Sequence, residues 1–310
     1  MIEWQAVSKS FGGLPAVEGL SLTIAQGEFV VLIGASGSGK STLLRMANRL
    51  VEPDRGRVLF KGQDTRSLRA EDLRRRMGYA IQSIGLFAHW TVARNIATVP
   101  ELLGWPAARI GARVDELLAL FGLDPGVYRD RYPQQLSGGQ QQRVGVARAL
   151  AADPEVLLMD EPFGALDPVT RQVLQGELAR IQRASGKTIL LVTHDIDEAL
   201  RLATRIVLLD RGRIVQAAAP VQLLRQPASG LVSDFIGRSE LGLKLLGLQT
   251  VADRLNAGES APGEPILASA SLREALSAFV ERQTDRLPVA DAQGRPVGVI
   301  GFCDLLQRVK

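Results

Sequence analysis

The chain has little with which to cross-link itself or to enter a membrane. Its 310 residues include a single cysteine, Cys303, so no disulfide can form within the chain, which fits a reducing cytoplasm. No stretch approaches the roughly 20 consecutive apolar residues of a transmembrane helix. Residues 1–5 lack the charged and then apolar pattern of a signal peptide. We therefore expect a protein without a membrane span of its own.

The charge balance is that of an ordinary globular protein. Hydrophobic residues make up 46% and charged residues 23% of the chain, and the formal net charge is +4. The densest basic run is three arginines at residues 74–76, which most simply form a solvated helix face. Contact with lipid headgroups, or with a partner near a membrane, is the alternative. The length allows one large core and a small additional module.

Apolar segments of strand length alternate with helical segments along the chain. Residues 29–33 form a continuous apolar run, and similar runs return at 156–159, 189–193 and 206–209. Segments with helical periodicity lie between these runs. The alternation predicts an α/β fold with a parallel sheet that is covered on both faces.

The segment after the first of these runs has the spacing of a phosphate-binding loop. It consists of Gly34-Ala35-Ser36-Gly37-Ser38-Gly39-Lys40-Ser41, followed by Thr42. A strand before the loop and a helix after it are the context that such a loop requires. Its glycines would let backbone N–H groups approach phosphates without a Cβ in the way. We expect Lys40 to bridge the β- and γ-phosphates, Ser41 to offer its hydroxyl to Mg²⁺, and Thr42 to bond the α-phosphate.

An acidic pair follows the apolar run at 156–159. Asp160 and Glu161 come directly after it, at the carboxyl edge where open α/β sheets bind their ligands. We expect Asp160 to hold Mg²⁺ through water, and Glu161 to orient and polarise the attacking water as a general base. A solvated strand end is the alternative for such a pair, but the phosphate loop upstream favours the catalytic role.

At this point the chain resembles the ATP-binding cassette (ABC) ATPases over about residues 1–237. The run Leu136-Ser137-Gly138-Gly139-Gln140 matches the signature motif of that family without change. Its serine and glycines are expected at a helix N-terminus, which attracts anions. The resemblance implies that residues 137–140 face the γ-phosphate bound by a second copy of the chain. Two ATP molecules would then lie between two head-to-tail subunits.

Further single positions match the family. The resemblance implies that Gln82 contacts both Mg²⁺ and the attacking water, and that His194 contacts the γ-phosphate, both as catalytic residues. Asp167 matches the loop that crosses the dimer interface. Phe11 matches the aromatic residue that stacks on adenine, although a place in the core is its alternative. The chain has two histidines, and His89, which lacks such a context, is expected at the surface near a partner.

The resemblance also implies a fold and cofactors. ABC ATPases have a P-loop NTPase domain with a RecA-like core, an antiparallel β subdomain and a helical subdomain, and they use ATP and Mg²⁺. Soluble members that act on DNA or ribosomes tend to carry a long coiled coil or two cassettes. This chain has one cassette and no sustained heptads between Lys40 and Asp160. No nucleic-acid partner is therefore expected.

Within the family, the chain is similar to importer ATPases for glycine betaine and other quaternary-amine osmoprotectants. The likeness lies in residues 81–87, 95–100, 130–135 and 139–171, with Ala88 where proline is usual. It implies a peripheral protein on the cytoplasmic face of the plasma membrane. Its partners would be integral membrane permease subunits and an extracytoplasmic substrate-binding protein. An importer ATPase for a different small solute is the alternative.

The tail is expected to form a separate module. Residues 238–263 are predicted to be a helical segment that ends in a linker, and residues 264–310 resemble a single cystathionine β-synthase (CBS) repeat of α+β structure. A helix is predicted to begin after Ser271, with Glu274 completing a capping box. Since so short a repeat buries little core alone, we expect it to pair with the tail of the second copy.

The CBS resemblance leaves the role of the tail open. Nucleotide-binding repeats of this kind have Thr or Ser three positions before the Asp that holds a ribose. Here Gly301 precedes Asp304 at that spacing, which disfavours the binding of an adenosine nucleotide. Dimerisation alone and regulation of the ATPase remain the two alternatives.

Overall fold

A computed structural model describes residues 1–81 and 85–306, and the chain divides into two compact units, Met1–Ala219 and Pro220–Lys310. The strands of the first unit are β1 (Ile2–Phe11), β2 (Leu14–Ile24), β3 (Phe29–Ile33), β4 (Arg55–Phe60), β5 (Gln63–Asp64), β6 (Met77–Ala80), β7 (Val156–Asp160), β8 (Thr188–Val192), β9 (Arg205–Asp210) and β10 (Arg213–Ala218). Its helices are α1 (Lys40–Ala47), α2 (Ala70–Arg75), α3 (Val92–Leu102), α4 (Ala107–Leu120), α5 (Pro125–Tyr128), α6 (Gly138–Leu150), α7 (Pro168–Ser185) and α8 (Ile196–Leu202).

An antiparallel sheet is built from the N-terminal strands in the order β2-β1-β4-β5. Ile2 and Trp4 are buried, as alternation along β1 predicts. A register shift between Trp4 and Val7 then keeps Val7 on the buried face. Ile2 pairs with Ile24 on one side and with Phe60 on the other. This sheet is the antiparallel subdomain that the family resemblance implies.

The second sheet has six strands in the order β10-β9-β3-β8-β7-β6, and neighbouring strands are parallel except β9 and β10. Every residue of β3, β7 and β8 is buried. Helix α1 packs against β7 and β8, and α8 packs against β3. Strands that are covered on both faces carry continuous apolar runs, which is the pattern that these segments show. The predicted parallel α/β sheet is confirmed.

The carboxyl ends of three central strands lie side by side. Leu32 of β3 and Asp160 of β7 both pair with Val192 of β8. Beyond the strands, Thr193 N donates to Leu32 O at 3.1 Å, and Glu161 N donates to Val192 O at 2.9 Å. The segments that follow the three strands therefore begin next to one another.

Helices α3, α4 and α6 pack together as a helical subdomain. The hydroxyl of Thr91 caps α3 by accepting from Arg94 N at 3.3 Å. Helix α6 begins after Ser137, which forms a reciprocal capping box with Gln140. The predicted helix N-terminus within the signature motif is thus confirmed.

The second unit contains a small mixed sheet in the order β11-β14-β13-β12, in which only β12 and β13 are parallel. Its helices are α9 (Pro220–Arg225), α10 (Gly230–Ile236), α11 (Leu241–Gly247) and α12 (Leu272–Arg282). Its strands are β11 (Asn256–Ala257), β12 (Ile266–Leu267), β13 (Arg286–Ala290) and β14 (Pro296–Gly301). Short 3₁₀ helices occur in both units. In the first unit they lie at Thr65–Ser67 and Pro133–Gln135, and in the second at Arg238–Glu240, Val251–Asp253 and Phe302–Leu306.

Helix α12 supplies much of the core of the second unit. Leu272, Ala275 and Phe279 recur at helical spacing and are buried against β13 and β14. The hydroxyl of Ser271 accepts from Glu274 N at 3.1 Å, and Ser271 N donates to the Glu274 carboxylate at 2.7 Å. The predicted capping box is therefore confirmed.

The division of the chain into compact units does not coincide with the boundaries that the sequence suggests. The units meet between Ala219 and Pro220, whereas the sequence places boundaries after residue 237 and before residue 264. The division into units follows the density of contacts between residues, whereas the sequence-based boundaries follow motifs and composition. The first does not test the second, so the sequence-based boundaries stay predictions. Within the described ranges 1–81 and 85–306, no helix is long and apolar enough to cross a membrane.

Replacement of Phe279 by Ala should lower the free energy of unfolding of the second unit by about 3–5 kcal/mol, because it empties a site in this core. Phe279 is 2% exposed, whereas Val280 on the same helix is 69% exposed. Val280→Ala should therefore change the free energy by less than about 0.5 kcal/mol. Native-state hydrogen exchange of α12 in urea measures both effects. Equal effects would contradict this account of the core.

Candidate active site

The phosphate loop connects β3 to α1 through backbone conformations that only glycine adopts easily. The φ angles are 145° at Gly34, 76° at Gly37 and 97° at Gly39. A Cβ on Gly39 would overlap the carbonyl oxygen of Ala16, and one on Gly34 would overlap that of Leu209. No side chain caps the first turn of α1, so its N–H groups face the loop as donors for an anion.

Lys40 lies buried within this loop. Its ammonium donates to Gly34 O at 2.9 Å and to Ala35 O at 2.8 Å. Burial lowers the pKa of Lys40, while the neighbouring Glu161 and Asp160 carboxylates oppose this change. The lysine is thus a positive charge held among backbone carbonyls, where it can bind phosphate oxygens as a point charge.

Ser41 and Asp160 meet at the end of the loop. The Ser41 hydroxyl donates to Asp160 Oδ1 at 2.9 Å. Asp160 Oδ2 is buried, and it has no hydrogen-bond partner among the residues that the structure describes. Burial raises the pKa of Asp160, and the Ser41 hydroxyl and the Arg45 guanidinium oppose this shift. One oxygen of this carboxylate is therefore buried without a hydrogen-bond donor.

Arg45 was not among the residues singled out from the sequence. Its Nη2 lies 3.6 Å from Asp160 Oδ2, and its side chain is 48% exposed. It follows Ser41 by four residues on α1, so both side chains lie on one helix face. That spacing is the signal in the sequence that could have identified it.

Glu161 and His194 lie together at the same edge of the sheet. Glu161 Oε1 is 3.3 Å from His194 Nδ1, and the His194 side chain is 70% exposed. The φ angle of Glu161 is 48°, in the left-handed region that non-glycine residues seldom occupy. The Glu161 side chain is 25% exposed beside the His194 imidazole, and its charge acts on the Lys40 ammonium.

The structure brings the predicted phosphate-binding residues and the predicted catalytic residues together at one edge of the parallel sheet. The phosphate loop, Ser41, Asp160, Glu161 and His194 are joined by the contacts given above. Gln82 lies outside the described residues. Another candidate, Phe11, is 50% exposed at the end of β1, with Lys9 Nζ 5.5 Å from its ring centroid. Such exposure disfavours the alternative of a core position for Phe11.

The signature motif occupies a different place on the first unit. Ser137 and Gly138 are exposed, and Gln140 donates to Tyr128 Oη at 3.1 Å. Asp167 is also exposed, and it caps α7 by accepting from Thr170 N at 3.0 Å. Among the residues in the described ranges, no hydrogen bond or ion pair joins residues 137–140 to the phosphate loop. Ser137 and Gly138, at the start of α6, are therefore accessible to solvent.

A second residue that sequence reasoning did not single out is Gln142, on the first turns of α6. Its side chain is buried and forms hydrogen bonds with the backbone of two residues in the segment after β7, Glu161 and Ala165. Nothing in its local pattern separates it from the neighbouring glutamines, because only the tertiary structure places it against Glu161.

The phosphate loop, the acidic pair at a strand end and the nearby histidine define a P-loop ATPase. The family described as ABC transporter matches residues 17–164, and the CBS domain family matches residues 265–310. The chain is 61% identical to the glycine betaine uptake system ATP-binding protein of Escherichia coli (strain K12), over 99% of each chain. It therefore belongs to the ABC transporter family, among the ATP-binding subunits.

Other relatives agree with this assignment. The chain is 47% identical to the glycine betaine/carnitine/choline transport ATP-binding protein of Bacillus subtilis (strain 168), over 94% of this chain and 76% of that one. A dimeric, post-hydrolysis ATP-binding cassette solved with ADP and Pi is similar over 71% of this chain and 99% of its own, with a TM-score of 0.66 and 32% identity. The fold of the cassette and its ATPase class are thereby shown.

Replacement of Gly39 by Ala should weaken ATP binding by about tenfold or more, because the Cβ would displace the loop and cost at least one charged hydrogen bond. Gly186→Ala is the matched control. It also has a positive φ, of 62°, but a Cβ there meets nothing within 4 Å. It should cost about 1–2 kcal/mol of stability and leave ATP affinity unchanged. Titration with a fluorescent ATP analogue separates the two, and equal affinities would refute the steric argument.

Proposed function

We propose that this chain hydrolyses ATP to energise the import of a quaternary-amine osmoprotectant, such as glycine betaine, through a separate membrane permease. The observation that carries the proposal is a catalytic edge with Glu161 beside His194, in a chain whose full length is similar to ATP-binding proteins of glycine betaine uptake systems. The protein would work as a peripheral subunit on the cytoplasmic face of the plasma membrane. The solute itself would bind to other subunits.

In this proposal the backbone N–H groups of the phosphate loop and the Lys40 ammonium bind the phosphates. Glu161 accepts a proton from the attacking water as general base, and His194 contacts the γ-phosphate. Their separation of 3.3 Å supports a shared role. We expect Gln82 to complete this group, and Phe11, half exposed at the end of β1, to stack on the adenine.

The residues at the end of the phosphate loop fit Mg²⁺. Ser41 and Asp160 offer hard oxygen ligands, and the buried Asp160 Oδ2, which accepts no hydrogen bond from the described residues, is the kind of atom that a cation would satisfy. Among described residues, no cluster of three His, Cys, Asp or Glu is present. Mg²⁺ does not need one, since it keeps waters and phosphate oxygens as ligands. Bound there with Gln82, it would neutralise charge on the β- and γ-phosphates.

A second copy of the chain would complete each ATP site. The exposed N-terminus of α6, from Ser137 to Gln140, is suited to a phosphate that its own subunit does not hold. The exposed Asp167 would lie at the same interface. The dimeric state of the similar solved cassette supports this arrangement.

The permease would contact the helical subdomain. A groove of about 350 Å³ lies there, and Tyr79, Phe87, Thr98 and Arg148 are among the residues that line it. Arg148 donates to Gly85 O at 2.7 Å and lies 6.0 Å from the centroid of the Phe87 ring. Ile81 and Gly85 also line this groove, and they flank Gln82 in the sequence. We therefore expect binding of the permease there to affect the catalytic edge. An extracytoplasmic binding protein would deliver the solute to the permease.

The CBS repeat is proposed to pair with its counterpart in the second copy. Asp304 Oδ2 accepts from Gly301 N at 2.8 Å and from Asn256 Nδ2 at 2.9 Å. The carboxylate that would hold a ribose is thus already bonded within the unit. This supports dimerisation or regulation without an adenosine nucleotide. An importer for another small solute remains the second candidate for the function, because the solute does not touch this chain.

Uptake of labelled glycine betaine tests the proposal in cells that lack only this gene. Wild type should restore uptake, whereas Glu161→Gln should not, because it removes the base while keeping the size of the side chain. The variant should also trap an ATP-bound dimer, which size-exclusion chromatography can detect. Equal uptake in cells that lack the gene and in cells complemented with the wild-type gene would contradict the proposed solute class. Hydrolysis by Glu161→Gln at the wild-type rate would reject the role given to Glu161.

Replacement of Asp160 by Asn should stabilise the nucleotide-free protein at neutral pH, because the raised pKa of Asp160 means that folding disfavours its ionised form. The same variant should lose the additional thermal stabilisation that Mg²⁺ gives to the ATP complex. Asp54→Asn is the control: hydrogen bonds from Lys9 and Ser10 N lower the pKa of Asp54, so this variant should be destabilised and keep its response to Mg²⁺. Thermal unfolding without nucleotide measures the first effect, and thermal unfolding with ATP and either Mg²⁺ or EDTA measures the second. An unchanged Mg²⁺ response in Asp160→Asn would count against the magnesium site.

A further inference from the structure

Gln142 joins the signature helix to the loop that carries Glu161. Its side chain is 5% exposed on α6. Its Nε2 donates to Glu161 O at 3.2 Å, and its Oε1 accepts from Ala165 N at 3.1 Å. Both ends of one buried amide are therefore used by backbone groups that lie four residues apart in another segment. A side chain that served only to fill space would not need either bond.

The backbone of Glu161 is in a conformation that needs such support. Its φ of 48° is unfavourable for a residue with a Cβ. Glu161 N is held by Val192 O at 2.9 Å, and its carbonyl oxygen accepts from Gln142 and, at 3.3 Å, from Gly164 N. The direction of the Glu161 side chain follows from this backbone conformation. Loss of the Gln142 bond would remove from this carbonyl the donor that comes from α6 and keep the one from Gly164 N in its own loop.

We propose that Gln142 is a positioning residue that holds Glu161 in its catalytic orientation and fixes it to the signature helix of the same chain. The inference rests on the proposed function only in that Glu161 is taken as the base. Since α6 is continuous from Gly138 to Leu150, Gln142 moves with the N-terminus of that helix. An ATP molecule that is bound by the second copy would contact the N-terminus of α6 in this chain. Through this one helix and Gln142, it would affect the position of Glu161 in the same chain.

The test compares ATP hydrolysis by the purified full-length protein and three variants. Gln142→Met keeps the volume and removes both hydrogen bonds. Gln142→Glu keeps the acceptor for Ala165 N and replaces the donor to Glu161 O with a carboxylate oxygen, which repels that carbonyl oxygen when the side chain is ionised. Both variants should lower kcat by about 10- to 100-fold, as misplacement of a catalytic group does, while KM for ATP changes less than about twofold. If Gln142→Met does not fold, Gln142→Glu carries the test alone.

Gln182→Met is the matched control. Gln182 also donates from Nε2 to a backbone carbonyl, Gly27 O, at 2.7 Å, but it lies near the end of α7 and away from the catalytic edge. It should leave kcat within about twofold of wild type. A similar loss of kcat in Gln182→Met and Gln142→Met would show that any lost amide bond weakens the enzyme, and would overturn the proposal. Unchanged kcat in Gln142→Glu would overturn it as well.

A double substitution separates positioning from general damage to the fold. In a Glu161→Gln background, Gln142→Met should lower the residual single-turnover rate by less than about twofold, because the group that it positions is already gone. The double variant should also form the ATP-bound dimer as well as Glu161→Gln does. Additive losses would reject a role through Glu161. These assays need no transported solute, so failure of the osmoprotectant uptake test would leave this inference standing, and the reverse also holds.

Discussion

The parallel register of β3, β7 and β8 is the constraint on which the catalytic edge depends. Val192 pairs with Leu32 on one side and with Asp160 on the other. A slip of one residue in either pairing would move a strand end by about 3.3 Å and turn its side chains to the opposite face. Because these strands are buried on both faces, their packing prevents such a slip. Core packing, more than any preference of the loops, brings the phosphate loop, the acidic pair and His194 together.

The same burial makes this edge of the sheet unfavourable for the stability of the folded protein. Lys40 and Asp160 carry opposite charges in surroundings that disfavour either charge alone, as their pKa shifts in opposite directions show. Glu161 adds an unfavourable backbone conformation. The cost is offset by contacts from elsewhere in the first unit, such as those of Val192 and Gln142 with the Glu161 backbone. Stability given up at an edge like this one is characteristic of a functional site.

Local patterns were sufficient to predict β3, β7, β8 and β9 of the parallel sheet, the phosphate loop and the capped starts of α6 and α12, because each depends on residues within a few positions of one another. The left-handed conformation of Glu161 could not be predicted, since glutamate has no preference for it. The contact of Gln142 with Glu161 joins residues that are 19 positions apart in the sequence, and only the tertiary structure brings them together. The position of Arg45 on the same helix face as Ser41 follows from helical periodicity, but Arg45 belongs to no motif that indicates a function. The position of Gln82 is not described, so its role stays a prediction.

The hydrogen bonds of Lys40 have a consequence for how the nucleotide is received. The ammonium donates to Gly34 O and Ala35 O, so these bonds order the lysine side chain as part of the folded loop. Binding of a phosphate would exchange carbonyl oxygens for phosphate oxygens around an ammonium that the fold already places. The conformational entropy of this long side chain is therefore lost when the chain folds, and less of it is lost when phosphate binds. The affinity of the loop for phosphate thus depends in part on the stability of the sheet that holds it.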